Sequence, residues 1–389
     1  MCKLFTYKIE NVCVTVYHSP QPECTENIHL VLGYKEAVAE WLCYPYAILS
    51  ERLGNHHLHF ETDNPLPDQS GIIQVATRDA FLNFLEAHPE KEELIIPPYA
   101  TTAHHSLKMV DDWVEALLNE VETIQAQTEF CDIASQDEMK WVKFDYHNTN
   151  YHNRFYGRYK FERGGSVLLV SLPGYQSQWN DISSYCQEGY SVLQLCPLGY
   201  NTPYGFDESK KVRGAWPVLH DTVLDPRKII GYRQWFLECV LAIKALRKPN
   251  QKLVFLGTSQ GGGAALVLSS IFQNDTLVCA AEMPFLIGFS ARNYDFVRSF
   301  VARSNIEVYD FIAREKLYVV DPLNHSHRLS VPTLLIAGEK DNECPKEDIQ
   351  LLFQKLNCIK KYVELEGQSH GYTKVFEEFA LKWIRLHSK

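Results

Sequence analysis

No stretch of the 389-residue chain stays apolar over the roughly 20 residues that a membrane-spanning helix needs. Cations are few and scattered: 38 Lys and Arg stand against 48 Asp and Glu, a formal charge of −10. Neutralising a phosphate backbone takes clustered Lys and Arg, so a general nucleic-acid binder is excluded. No two of the 11 cysteines have C-x-x-C spacing, and their number is odd. Cys13, Cys196, Cys239 and Cys279 fall inside apolar segments, as buried free thiols do, and this pattern predicts a reducing, cytoplasmic compartment. The first eight residues carry Lys3 and Lys8 where a secretion signal has an unbroken apolar core. There is no internal repeat and no low-complexity tract.

What is present is ordinary globular composition, 46% hydrophobic and 22% charged, enough for a full core. Two patterns divide the chain. Residues 1–135 alternate from Leu4 to Tyr17 around a turn at Glu10-Asn11, followed by an apolar run at Ile28–Leu32. Helical stretches at Glu36–Leu53, Ala80–Ala87 and Leu107–Ala126, and strand-like pieces at Leu58–Phe60 and Ile72–Ala76, complete an expected small α+β domain without a catalytic motif. Residues 140–389 read differently. Trp141–Asp145 and Phe155–Phe161 alternate like antiparallel strands joined near Asn148-Thr149-Asn150. Four short apolar runs follow, at Val167–Leu172, Val192–Leu195, Leu253–Leu256 and Leu277–Ala281, with further strands at Thr333–Ala337 and Tyr362–Leu365. Helical patterns separate them, the clearest with Ile229, Tyr232, Phe236, Val240, Ile243 and Leu246 on one face, and the last with Phe376, Phe379, Ala380, Trp383 and Ile384 on one stripe. Largely apolar strands alternating with helices predict an α/β fold, a mostly parallel sheet covered on both faces.

The chemistry is concentrated at Gly257-Thr258-Ser259-Gln260-Gly261-Gly262-Gly263, between the buried strand Leu253–Leu256 and a helix beginning near Ala264. A serine at a sharp strand-to-helix bend, with glycines two residues before and after, is a nucleophile elbow of the α/β-hydrolase fold. A serine hydroxyl is a weak nucleophile at neutral pH and needs a base, which a carboxylate must orient. In this fold the order along the chain is serine, acid, histidine. Asp341 lies just past the strand Thr333–Ala337, with Glu339 and Glu343 beside it and Glu282 after the preceding strand as rivals. Among 15 histidines, His370 is singled out by its loop, Gly367-Gln368-Ser369-His370-Gly371, between the last strand and the last helix. An oxyanion hole requires two backbone N–H groups; Gln260, after the serine, and Tyr175, in the loop Pro173-Gly174-Tyr175-Gln176, are the expected donors. The run Leu53-Gly54-Asn55-His56-His57-Leu58-His59 lacks the H-E-x-x-H or cysteine partners of a zinc site. No metal or cofactor is called for.

These residues together resemble the acetyl xylan esterase and cephalosporin C deacetylase family of α/β hydrolases over residues 140–389. The likeness is carried by Gly174-Tyr175, by the elbow at 257–262, by Pro284-Phe285-Leu286, and by Asp321-Pro322-Leu323-Asn324 through Val331-Pro332-Thr333 to Asp341-Asn342 and Cys344-Pro345. The family's Arg-Gly-Gln element is absent, replaced by Cys196-Pro197-Leu198-Gly199, and Gly371 follows the histidine where the family has Glu. The resemblance implies a triad of Ser259, Asp341 and His370, oxyanion donors at Gln260 and Tyr175, and removal of short acyl groups, chiefly acetyl, from hydroxyls of sugars and small molecules.

The expectation is therefore a serine esterase acting on a small-molecule ester, with no nucleic-acid or membrane partner. A homo-oligomer is left open. Residues 284–317 fall where this fold carries a cap, and Phe285, Phe289, Tyr294, Phe296 and Phe300 either line a pocket over Ser259 or pack the cap down. A prolyl-oligopeptidase-like peptidase is the alternative enzyme, lacking here the repeats of a gating propeller. An acyltransferase and a hydrolase-like binding domain complete the range.

Overall fold

The structure is a computed structural model that describes residues 3–9, 12–18, 28–31, 72–75, 91–93, 107–133, 139–148, 152–175, 182–199, 201–207, 217–224, 229–289 and 316–388. The chain divides into two compact units, one comprising residues 1–105 with 310–312 and the other residues 106–309 with 313–389. In the first, β1 (Lys3–Ile9) pairs antiparallel with β2 (Val12–His18), as the alternation around residues 10–11 predicts. β3 (Ile28–Val31) pairs with β4 (Ile72–Val75), and β5 (Lys91–Glu93) adds to β1. The helices expected at 36–53 and 80–87, and the strand at 58–60, lie outside the described residues.

The second unit begins earlier than the expected boundary at residues 135–140. Helix α1 (Leu107–Thr123) buries Val110, Val114, Leu117 and Val121, a single stripe at helical spacing, in this unit's core. The helix stops at Thr123, and residues expected at its end form a strand instead, β6 (Gln125–Phe130). β6 pairs with β7 (Lys140–His147), which pairs with β8 (His152–Lys160), all antiparallel. The remaining strands are β9 (Val167–Leu172), β10 (Ser191–Cys196), the short hairpin β11 (Asn201–Thr202) and β12 (Gly205–Phe206), β13 (Lys252–Thr258), β14 (Thr276–Glu282), β15 (Thr333–Gly338) and β16 (Lys360–Leu365). Nine strands form one sheet in the order β16-β15-β14-β13-β9-β10-β8-β7-β6. The six from β16 to β10 are parallel.

Strands buried on both faces explain the short apolar runs: every residue of β9, β10 and β15 is buried, Ser171 and Gln194 among them. Alternate side chains supply two layers. Leu168, Val170, Leu193 and Phe255 pack toward α1, α4 (Tyr232–Leu246), α5 (Gln260–Ile271) and α6 (Lys346–Lys355). Leu169, Val192, Val254 and Ile336 pack toward α2 (Ser183–Gln187) and α7 (Lys374–His387), whose Phe376, Ala380 and Ile384 are buried as its stripe predicts. A further helix, α3 (Pro217–Leu224), adds Val218, Leu219 and Val223 to the first layer. Each such aliphatic side chain contributes about 1.5–3 kcal/mol of burial. Tyr146 of β7 and Tyr159 of β8 pack as strand residues: both are buried, and the Tyr146 hydroxyl donates to Glu238 at 2.7 Å. Cys131, Cys186, Cys196, Cys239, Cys279, Cys344 and Cys358 are free thiols, and Cys196, Cys239, Cys279 and Cys344 are buried. No helix among the described residues is long and apolar enough to cross a membrane.

Candidate active site

The chain passes from β9 to β10 on one side and returns past β9 to lay down β13 on the other. That reversal opens a crevice at the carboxyl ends of β9 and β13, where open α/β sheets bind their ligands. Ser259 stands at this point, between β13 and α5, with φ 57° and ψ −121°. A non-glycine residue in the left-handed region is strained, and three main-chain hydrogen bonds hold this one there. Its N–H donates to the Glu282 carbonyl at 2.9 Å, and its own carbonyl accepts from Phe285 N at 2.9 Å and Gly263 N at 3.0 Å. The bend also forces close approaches. A Cβ on Gly261 would lie 2.1 Å from the Leu172 carbonyl oxygen, and one on Gly263 would lie 2.0 Å from that of Phe285. Only hydrogen fits at either position.

His370 closes over the elbow from the loop before α7. Its Nε2 lies 2.9 Å from Ser259 Oγ, and its Nδ1 lies 2.8 Å from Asp341 Oδ2. Asp341 is fixed in turn: its Oδ1 accepts from the amides of Glu343 at 2.9 Å and Cys344 at 2.8 Å. The Asp341 side chain is 0% exposed, so water does not screen its charge from the imidazole. Burial pushes the His370 pKa down, but the hydrogen bond and charge of Asp341, followed by the charges of Glu343 and Glu282, outweigh it and raise it above the ordinary value. Thr373 caps α7, its hydroxyl accepting from Phe376 N at 3.1 Å, which anchors the loop three residues beyond the histidine.

Of the candidate carboxylates, Asp341 is the one bonded to His370 Nδ1. Glu339 accepts from Gly367 N at 2.6 Å, and exposed Glu343 is 3.7 Å from His370 Nε2. Glu282 faces Thr258 and Thr373, a junction that sequence reasoning did not foresee. The loop carrying Tyr175 runs over the serine, since a Cβ on its neighbour Gly174 would sit 3.8 Å from Ser259 Cβ. Gln260 is the first residue of α5. Phe285 and Phe289 are buried edge to face, with centroids 4.4 Å apart, and the Phe285 ring lies 5.7 Å from that of Tyr175. This is an apolar wall beside the elbow, and of the two readings it favours packing for Phe289. Tyr294, Phe296 and Phe300 lie outside the described residues, as do His56, His57, His59, His104 and His105.

His325 is fully buried, its Nδ1 2.6 Å from Ser270 Oγ and its Nε2 donating to the Val319 carbonyl at 2.8 Å, which makes it a packing residue. His327 lies at 3.0 Å from Asp111. Asp341, Cys344 and His370 bring one potential metal ligand atom each within 4.8 Å of one another. The donor set does not suit a metal: both His370 nitrogens are engaged, and burial, with the charge of Asp341, pushes the Cys344 thiol well up. A separate cavity of about 270 Å³ between α1, α4 and residues 316–320 is lined by Trp113, Ile230, Arg233 and Lys316, away from the serine.

No curated protein matches the chain. Two solved acetyl xylan esterases share its fold. Acetyl xylan esterase 1 from Thermoanaerobacterium sp. JW/SL YS485 is 19% identical with a TM-score of 0.56, covering 71% of this chain and 92% of its own. The acetyl xylan esterase from Paenibacillus sp. R4 is 18% identical with a TM-score of 0.57, covering 73% and 96%. The family model for acetyl xylan esterase (AXE1) matches residues 99–387, which takes in α1 and β6 as well as the parallel core. The chain thus belongs to the acetyl xylan esterase family and is a carboxylic ester hydrolase of the α/β-hydrolase type.

Proposed function

We propose that the protein is a serine esterase that removes acetyl or another short acyl group from the hydroxyl of a sugar or small molecule, with Ser259, His370 and Asp341 as its triad. The observation that carries this reading is the continuous hydrogen-bonded chain from Ser259 Oγ through the imidazole to Asp341. Ser259 Oγ attacks the ester carbonyl carbon while His370 Nε2 takes the hydroxyl proton. Asp341 holds the imidazole in the tautomer that presents a free Nε2 and stabilises the imidazolium as it forms. The tetrahedral oxyanion is received by the amides of Gln260 and Tyr175, the former at the positive end of the α5 dipole. Collapse breaks the C–O bond, the departing alkoxide takes the proton from Nε2, and an acyl-Ser259 ester remains. Water, deprotonated by the same nitrogen, then releases the acid and restores the serine. The short acyl group is taken from the matched family, whose name specifies an acetyl ester.

Ser259→Ala is expected to lower kcat on p-nitrophenyl acetate by roughly a million-fold, because triad members act as a unit. A fluorophosphonate probe should label the parent at Ser259 and leave the variant unlabelled. Parental turnover in the purified, folded variant would end this reading.

A further inference from the structure

We propose that Glu282 is a positioning residue for the esterase reaction: its buried carboxylate ties the strand end that carries the nucleophile to the loop that carries the base, and its charge supports the imidazolium at His370. The inference rests on the assignment of Ser259 and His370 above and adds a residue to it.

Glu282 is the last residue of β14 and is 0% exposed. Its two oxygens face different elements. Oε2 accepts from the hydroxyl of Thr258, the residue immediately before Ser259, at 2.8 Å. Oε1 accepts from the amide of Thr373 at 3.0 Å and from the Thr373 hydroxyl. The Thr373 hydroxyl already accepts from Phe376 N as the cap of α7, so its single proton is free to point at Glu282. One carboxylate therefore joins the residue before the serine to a residue three beyond His370, on elements more than 100 residues apart in the chain. The Glu282 main chain adds a further tie through the bond from Ser259 N to its carbonyl.

A buried carboxylate is costly to keep, and packing alone would be served as well by an apolar side chain. Burial pushes the Glu282 pKa up to about 7, against the pull of the donors on Thr373 and Thr258 and of His370. The charged groups that act on His370 are Asp341, Glu343 and Glu282, and all three favour its protonated form. Asp341 accounts for tautomer and orientation through Nδ1. Glu282 acts without touching the ring, by fixing where the loop sits and by adding negative charge.

The test uses the full-length enzyme with p-nitrophenyl acetate. Glu282→Gln keeps a carbonyl for the Thr373 donors and removes the charge. With the fold verified by circular dichroism and thermal midpoint, kcat/KM is measured from pH 5 to 9. The expected result is a fall in kcat of up to about 100-fold, the scale of a 1 Å misplacement, with KM little changed. The acid limb should also move to lower pH, by less than about 1 unit because Glu282 is ionised only in part where His370 titrates, since removing a negative neighbour lowers the base's pKa. Thr258→Val, which removes a donor to the carboxylate and leaves Glu282 in place, should shift the limb in the same direction by less. It serves as the deciding variant if Glu282→Gln does not fold. A profile that overlays the parent's, or an activity loss at every pH with the limb unmoved, overturns the proposal. Turnover surviving in Ser259→Ala would instead overturn the underlying site assignment, so the two failures are distinct.

Discussion

At the scale of single residues, the same burial acts oppositely on two titratable groups. Desolvation disfavours charge, which lowers a histidine's pKa and raises a carboxylate's. His325, sealed between Ser270 and Val319, is pushed down to about 4 by burial, with Arg328 and His327 adding to it against the Val319 carbonyl. A histidine depressed in the fold stabilises above its unfolded pKa, and that stability is lost as pH falls from about 6.5 toward 4. The depression corresponds to about 3 kcal/mol. Unfolding midpoints in urea between pH 7 and 4 should therefore fall less steeply in His325→Gln than in the parent, even though the variant starts lower. Equal slopes would show that His325 does not control acid sensitivity. Glu282 has the opposite sign: its raised pKa means its contribution is present at low pH and is lost as pH rises through about 7. The sequence singled out Ser259, Asp341 and His370 because chain order and loop position mark them. Glu282 entered only as a rival acid, because its partners Thr258 and Thr373 come together only in the folded sheet. Nothing local marks a threonine as one side of such a bridge.

Among the elements, those that carry the site were the legible ones. Val167–Leu172 and Leu253–Leu256 read as strands because both faces are buried and their residues are apolar save for Ser171. β6 was missed for the converse reason. Its residues Gln125–Phe130 are all exposed at the sheet edge, so no alternation is imposed on the sequence. The turn after β10 was also not legible: Leu198 adopts φ 65° although it is not glycine, held by the bond from its amide to the buried Glu238 carboxylate. Left-handed non-glycine residues recur at these strand ends, at Leu198, Ser259, Met283 and Leu286, as expected where strain is stored near a site. The tight contact between α5 and the segment after β14 gives a prediction at this scale. Gly263→Ala would drive a methyl group against the Phe285 carbonyl, costing about 3 kcal/mol if the backbone yields. Its urea midpoint should drop accordingly and its esterase activity should fall, because Phe285 N is bonded to Ser259. An unchanged midpoint would mean that the two segments are not locked together.

For the whole molecule, the consequence lies in where the catalytic unit starts. A reading from pattern alone cut the chain at 135–140, since the alternation of β7 and β8 announces a new domain there. The described core reaches back to α1, and the family match begins at residue 99. Val110, Val114, Leu117 and Val121 together contribute about 6–12 kcal/mol of gross burial, comparable to the entire net stability of a typical domain. A fragment beginning at residue 138 should therefore aggregate or unfold, whereas one beginning near residue 99 should give a cooperative thermal transition. Calorimetry on the two fragments decides this, and a well-folded shorter fragment would remove α1 from the core.

The three hydrogen bonds around the elbow run through the amide and carbonyl of Ser259, not through its hydroxyl. Shape and reactivity are thus assigned to different atoms of one amino acid. Trimming that side chain to methyl leaves every brace in place, so an inert variant would be a faithful cast of the parent, able to hold an uncleaved ester long enough for it to be identified.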